Sequence, residues 1–111
     1  MKTMIKIKVV EDFSPSPGGR FRRDGPFSGE QFREDVLRPA LITGEEVTID
    51  LDGAFGYPSS FLEEAFGGLI RHGIIRAAEA NDRLHFLASG PYELYVADIR
   101  RYLENASRQV G

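Results

Sequence analysis

One stretch of the chain, residues 47–73, changes its hydrophobic period part-way along, and this change limits the folds open to the sequence. Apolar and polar residues alternate over residues 47–51, which is the period of a pleated strand. Turn residues follow at residues 53–58, and apolar residues then recur at helical spacing. The stretch therefore predicts a strand, a tight turn and a helix that ends at Gly73.

The remaining chain repeats this alternation of strands and helices. Alternation predicts a first strand at residues 4–10 and another at residues 83–88, which contains His85. Helical spacing predicts a helix after the capping residue Ser28 and a last helix after Pro91. Between them, residues 13–29 are rich in Pro, Gly and Ser. They form either a long loop or a hairpin.

Three details of these elements are specific enough to test. Residues 20–23 can return as a short strand that pairs with the first one. Pro39 lacks an N–H group, so we expect it to kink the first helix or to end its regular part near Arg38. Gly67 and Gly68 lie inside a predicted helix, where each costs about 1 kcal/mol relative to Ala. This cost indicates the close approach of the neighbouring sheet or of a partner, and we expect internal packing.

These elements predict one α/β domain over residues 1–111, with a mixed four-stranded sheet packed against about three helices. Right-handed crossovers place the strand at residues 47–51 inside the sheet. The lysines of the first strand suit a sheet edge. Both a two-layer and a three-layer arrangement fit this order.

Composition excludes several functional classes. The net charge is −3 and the pI about 5.4, which argues against a primary nucleic-acid binder. The chain has no cysteine, so it has no disulfide and no thiolate site. The first residues lack the apolar run of a signal peptide, and no stretch is apolar enough to cross a membrane. We therefore expect a cytoplasmic protein.

Ser59 and Ser60 are the first candidate site residues, because they lie where a turn meets a predicted helix. A phosphate on either would meet free N–H groups and the positive end of the helix dipole. The simpler interpretation is helix capping, because residues 60–63 fit the capping-box pattern.

Charged residues give a second, enzymatic interpretation. Asp50 and Asp52 lie on one strand face near Glu63 and Glu64, and residues 20–23 carry three arginines that could hold an anion. No motif completes a metal-ligand set, so we expect no metal-dependent activity and no cofactor. His72 and His85 each stand apart from any Ser or carboxylate at triad spacing.

Several motifs resemble the STAS-like family of unknown function found in bacteria and their mobile elements. The matching segments are Asp50-Leu51-Asp52-Gly53, Pro58 to Leu69, Gly19-Arg20 and Ser28-Gly29-Glu30. The wider STAS class includes the anti-sigma-factor antagonists, in which a kinase of histidine-kinase-like ATPase fold phosphorylates the second serine of an Asp-Ser-Ser-Gly motif. The resemblance places Ser60 at that position, with Pro58 and Phe61 in place of the acid and the glycine.

The resemblance implies a small regulatory module that binds another protein and is not an enzyme. Its implied partner is a histidine-kinase-like ATPase or another regulator, and its phosphoacceptor is Ser60 or its neighbour Ser59. The expected contact surface is the turn at residues 53–60 with the exposed side of the next helix. The residues predicted to contact the partner are Tyr57, Pro58, Glu63, Glu64, Arg20 and Arg22. The alternative is a small anion-binding or metal-binding enzyme that uses Asp50, Asp52 and the arginines at residues 20–23.

Overall fold

A computed structural model describes residues 4–110 of the chain. Its sheet has three strands, β1 (Met4–Lys8), β2 (Glu46–Asp50) and β3 (Leu84–Leu87), in the order β1-β2-β3. Both neighbouring pairs are parallel. The interior position of β2 and the edge position of β1 are therefore confirmed. The predicted mixed, four-stranded sheet is wrong, because the described part of the chain forms three parallel strands.

The predicted strand at residues 20–23 is instead a loop with a short 3₁₀ turn at Arg22–Asp24. Its backbone donors are satisfied locally by carboxylates. Asp24 Oδ2 accepts from the backbone N–H of Phe21 at 3.0 Å, and Glu30 Oε1 accepts from that of Arg22 at 2.9 Å. Because side chains supply these acceptors, the segment does not need a neighbouring strand to satisfy its backbone.

Helix α2 follows this loop and consists of three continuous parts. It is α-helical at Gly29–Phe32, widens into a π-helical turn at Arg33–Leu37 and is α-helical again at Arg38–Leu41. Pro39 gives no N–H to the carbonyl four residues before it, and the wide turn accommodates this loss just ahead of the proline. The helix thus continues beyond Arg38, and its irregular part precedes the predicted break.

Helix α3 connects β2 to β3 and has the same construction. It comprises Ser59–Leu62, a π-helical turn at Glu63–Gly67 and Gly68–Arg71. The longest helix is α5 (Glu93–Val110). The other helical segments are short, namely α1 (Val9–Asp12), α4 (Ala80–Arg83) and two 3₁₀ turns at Ala77–Glu79 and Gly90–Tyr92. The described chain therefore has about five helices, more than the three predicted.

The helices cover one face of the sheet, which gives two layers. Helix α3 contacts both α2 and α5, and its Phe66 ring lies 5.7 Å from the ring of Phe86 on β3. Phe86 pairs in register with Ile49 of β2, which is completely buried. The residues of the opposite sheet face include Lys6, Thr48 and His85, which lie in one row across the strands. No helix among residues 4–110 is long and apolar enough to span a membrane.

Ile49 and Ile42 give a matched test of this arrangement. Ile49 is 0% exposed in the central strand, and Ile42 is 71% exposed after α2. We expect Ile49→Ala to lower the free energy of unfolding by about 2–5 kcal/mol, because it leaves a cavity. Ile42→Ala should change it by about 0.5 kcal/mol or less. Chemical denaturation measures both, and equal effects would contradict the interior position of β2.

Candidate functional site

Hydrogen bonds from two tyrosines hold the turn after β2 in place. The Tyr57 hydroxyl donates to the carbonyl of Leu51 at 2.8 Å, and the Tyr92 hydroxyl donates to that of Ala54 at 2.5 Å. Tyr57 itself is buried, and its burial raises the pKa of the phenol. The Tyr57 bond therefore closes the turn onto the end of the strand, and the Tyr92 bond holds its middle against the 3₁₀ turn that precedes α5.

Phe55 lies at the tip of this fastened turn. Its side chain is 87% exposed, more than that of any other large apolar residue among those described. Its backbone N–H nevertheless donates to the carbonyl of Pro15 at 2.8 Å, which fixes the position of the residue. An exposed phenyl ring thus projects from a rigid backbone. Sequence patterns did not indicate this residue, although an aromatic residue between Gly53 and Gly56 in a turn was a usable signal.

The two serines lie beside it, in the first turn of α3. The helix begins at Ser59, and its N-cap residue Pro58 makes no side-chain cap. The predicted capping box at Ser60 is therefore wrong, because Ser60 is already inside the helix. Neither serine hydroxyl makes a hydrogen bond within residues 4–110, and Ser59 is exposed while Ser60 is half-buried. We call Phe55, Pro58, Ser59 and Ser60 the serine turn.

Ser28 differs from Ser59 and Ser60, because its side chain caps helix α2 as predicted. Its hydroxyl accepts from the backbone N–H of Gln31 at 3.0 Å, and the residue is 0% exposed. The side chain of Gln31 in turn accepts from the backbone N–H of Phe27 at 2.8 Å. Ser28 is thus committed to the fold, while both serines of the serine turn keep their hydroxyls available.

A buried ion pair connects α2 and α3. Arg33 Nη1 donates to Glu64 Oε2 at 2.5 Å and to the Glu64 carbonyl at 2.9 Å. Only 4% of the Arg33 side chain and 7% of the Glu64 side chain are exposed. The other Glu64 carboxylate oxygen lies 3.4 Å from both Arg20 and Arg71. This one carboxylate therefore contacts three guanidinium groups.

Glu63 extends the network toward the surface. Arg20 Nη1 donates to Glu63 Oε1 at 2.5 Å, and Arg71 Nη1 donates to Glu63 Oε2. Burial raises the pKa of Glu63, but the two guanidinium groups outweigh it and leave the pKa below its usual value. The hydrogen bond to Glu63 raises the pKa of Arg20. Arg20 thereby ties the loop before α2 to helix α3.

Glycines make room for this network, as the sequence suggested. A Cβ atom at Gly68 would lie 2.5 Å from Arg33 Nη1, and one at Gly67 would lie 2.6 Å from Glu63 Oε2. On α2, a Cβ at Gly29 would lie 2.4 Å from the Phe61 carbonyl. Only glycine fits at these positions without movement of the neighbouring atoms. The close packing predicted from Gly67 and Gly68 is therefore internal.

Asp50, the last residue of β2, and Asp52, which follows the strand, accept hydrogen bonds from backbone N–H groups. Asp50 Oδ1 accepts from the N–H of Asp52 at 3.0 Å, and Asp52 accepts from both the N–H and the hydroxyl of Ser89. Asp52 thus joins the loop after β2 to the loop after β3. Among residues 4–110, no group of three or more His, Asp or Glu side chains is placed to hold a metal ion. The structure also keeps these aspartates apart from Arg20, which pairs with Glu63.

The remaining predicted contact residues differ in their exposure. Arg22 is exposed and pairs with Asp35 at 2.7 Å. Pro58 is exposed within the serine turn, whereas Tyr57 and Glu64 are buried. His72 is exposed after α3, and His85 Nε2 lies 2.8 Å from Glu46 Oε1 on the sheet face. Of these predicted contact residues, Arg22 and Pro58 are therefore open to solvent, and Tyr57 and Glu64 are not.

The comparison with protein families gives a match at this point. A family model described as a STAS-like domain of unknown function (DUF4325) matches residues 28–92, more than half of the chain. The chain belongs to this family. The matched part of the STAS-like domain contains α2, β2, α3 and β3, and with them the serine turn and the Arg33–Glu64 pair. The resemblance inferred from the sequence is thus confirmed. No curated protein and no solved structure gave a significant match.

The Arg33–Glu64 pair of the STAS-like domain gives a double-mutant prediction. Glu64→Leu should destabilise by up to about 3–5 kcal/mol, because it removes the buried carboxylate of the pair and leaves Glu34 as the one carboxylate beside the Arg33 charge. Arg33→Met/Glu64→Leu should destabilise less than Glu64→Leu alone, because the uncompensated charge is gone. Urea denaturation of both single variants and the double variant measures this coupling. Additive losses would show that the two side chains do not act as a pair.

Glu34 gives a prediction for acid stability. Arg38 and Arg33 donate to its two carboxylate oxygens at 2.7 and 2.8 Å and lower its pKa from 4.5 to about 2. Because the folded-state pKa lies below the unfolded value, ionised Glu34 stabilises the fold above pH 4.5, and this contribution is lost as the pH falls toward about 2. We expect Glu34→Gln to flatten the loss of stability over this range. An unchanged slope in pH-dependent denaturation would contradict it.

Proposed function

We propose that this STAS-like domain is a regulatory module that binds another protein through the serine turn and is switched by phosphorylation of Ser60, or of its neighbour Ser59. The proposed partner is a protein kinase of histidine-kinase-like ATPase fold or another regulator, and the role is not enzymatic. Membership of the STAS-like family supports the proposal. The observation that carries it is a pair of serine hydroxyls that make no hydrogen bond within residues 4–110, four and five positions after an exposed phenylalanine whose backbone is held in place.

Phe55 suits the part of an apolar anchor. Its ring is 87% exposed, so a partner pocket could bury almost all of it. Its backbone is already held by the bond to Pro15, and Tyr92 holds the preceding residue Ala54. Binding would therefore order little of the chain. A preorganised aromatic residue is the kind of side chain that dominates interface energies.

The first turn of α3 also suits a phosphoserine. The helix carries the positive end of its dipole there, and its first N–H groups have no acceptor within the helix. The first backbone bond of the helix runs from Leu62 to Pro58, which leaves the N–H groups of Ser59 and Ser60 ahead of it. A phosphate on Ser60 would thus be compatible with the fold.

The departure from the motif at Phe61 does not obstruct Ser60. The Phe61 side chain is 0% exposed, and its ring lies 5.7 Å from that of Phe32 within the core. Its bulk is therefore directed away from the surface that a kinase would approach. Pro58, in place of the acid, is exposed and presents an uncharged face. The serine turn thus presents apolar side chains and hydroxyl groups, and none of its four residues carries a carboxylate.

The binding role can be tested with a photoreactive amino acid at position 55 in cells of the source organism. We expect covalent capture of one partner, which mass spectrometry identifies. With that partner purified, Phe55→Ala should weaken binding by about tenfold or more, because the buried ring is lost. Ser60→Asp should weaken binding by a larger factor than Ser60→Ala, because it adds charge to the interface. Phosphopeptide mapping should find the modification on Ser60 or Ser59.

The control for these variants is Ile42→Ala, which removes a similarly exposed apolar side chain from the opposite end of β2. It should leave binding unchanged. Thermal unfolding of every variant separates lost binding from lost folding, and Ser60→Ala should change stability by only about 0.5 kcal/mol. Full binding by both Phe55→Ala and Ser60→Asp would rule out the serine turn as the contact surface.

A further inference from the structure

We propose that the groove between residues 77–81 and α5 is a binding site for a small monocarboxylate, held by Arg100. The groove has a volume of about 530 Å³ and is half open to solvent. Its lining residues are Ala77, Ala78, Ala80, Asn81, Arg100, Leu103, Glu104 and Ser107. They combine one guanidinium group, one amide, one hydroxyl and one carboxylate with small apolar surfaces.

The charge of Arg100 has no counterion within the described chain. Its guanidinium donates to Asn81 Oδ1 at 3.0 Å and to the Leu84 carbonyl at 3.3 Å, and it lies 4.9 Å above the centre of the Phe86 ring. No carboxylate among residues 4–110 lies within ion-pair distance of it. Burial also lowers its pKa. Arg100 is thus a partly desolvated cation that only neutral groups contact.

Glu104 would be the natural partner, because it lies one helical turn after Arg100 on α5. It is instead paired with Arg108, whose Nη2 lies 2.5 Å from Glu104 Oε1. The Glu104 side chain is 65% exposed, at the rim of the groove. Glu104 thus lines the same groove but is engaged by Arg108 rather than by Arg100.

The groove chemistry indicates the class of ligand. Arg100 donates two of its N–H groups to Asn81 and Leu84. Its remaining N–H groups lie in the same plane and can donate to the two oxygens of a carboxylate. The amide nitrogen of Asn81 adds a neutral donor at the same place. Leu103 and the alanines would contact an apolar body. Glu104 at the rim opposes any anion, but it opposes a dianion such as phosphate more than a single charge, so the ligand that fits best is a monocarboxylate with a short apolar chain.

This site is independent of the serine turn. Residues 77–81 precede β3, whereas the serine turn follows β2, so the two lie at opposite ends of the parallel sheet. Loss of binding at one need not change the other. Failure of the carboxylate proposal would therefore leave the proposed regulatory role unaffected.

The test is an NMR titration of the full chain with butyrate, with butyramide as its neutral isostere and with inorganic phosphate. We expect saturable shifts of the Arg100 Nε–H and Asn81 amide resonances with butyrate. Butyramide and phosphate should each bind at least about tenfold more weakly, because one lacks the charge and the other carries too much. Shifts of equal affinity with all three compounds, or no saturable shift with butyrate, would overturn the proposal.

Two variants separate recognition from folding. Arg100→Lys keeps the charge but loses the fork, and we expect about tenfold weaker butyrate binding. Asn81→Asp would supply the missing carboxylate within the chain, so butyrate binding should be lost while the thermal midpoint stays level or rises. Arg101→Lys, on an exposed arginine of the same helix that pairs with Asp98, is the matched control and should bind as the wild type does. Unchanged butyrate binding by Asn81→Asp would contradict a site at Arg100.

Discussion

The buried pair of Arg33 and Glu64 is the interaction on which the arrangement of the helices depends. A guanidinium between two helices needs a carboxylate and space, and α3 provides both through Glu64 and Gly68. The second contact, from Arg33 to the Glu64 carbonyl, occurs within the π-helical turn of α3. The π-helical turn of α2 begins at Arg33 itself. Both helices thus depart from α-helical geometry where they meet, as is frequent where a helix accommodates a specific contact.

This contact also positions the surface that we assign to partner binding. Because α3 is fixed against α2 in its middle, its first turn is held at the carboxyl end of β2, where sites of parallel α/β sheets form. Phe61 enters the core there, and Ser60 is left at the surface. Arg20 adds the loop before α2 to the same assembly through Glu63. A rigid interior thereby supports a small surface whose own hydroxyl groups make no hydrogen bond among the described residues.

The order of the elements was predictable from the sequence, because the change from a period of two to helical spacing depends only on which residues are buried. The features that failed depend on local polar contacts. The carboxylates of Asp24 and Glu30 accept hydrogen bonds from backbone N–H groups of the segment at residues 20–23. The segment is therefore a loop, although its sequence pattern is typical of a strand. Glu64 looked like a surface charge, although Gly68 four residues later and the arginine at position 33 together could have indicated a buried pair. Phe55 has no periodic neighbours, and its exposure follows only from the tertiary turn.

Arg33 and Arg100 differ in the charge that the chain places beside each guanidinium group. Arg33 is almost fully buried, yet its carboxylate partner is part of the chain, so it has no need of a ligand. Arg100 is more exposed, but the chain offers it only an amide, a carbonyl and an aromatic ring. Burial without a counterion is unfavourable, and a ligand that supplies the missing charge relieves that penalty. Arg33 therefore belongs to the helix interface, whereas the neutral surroundings of Arg100 are the observation on which the ligand site that we propose there rests.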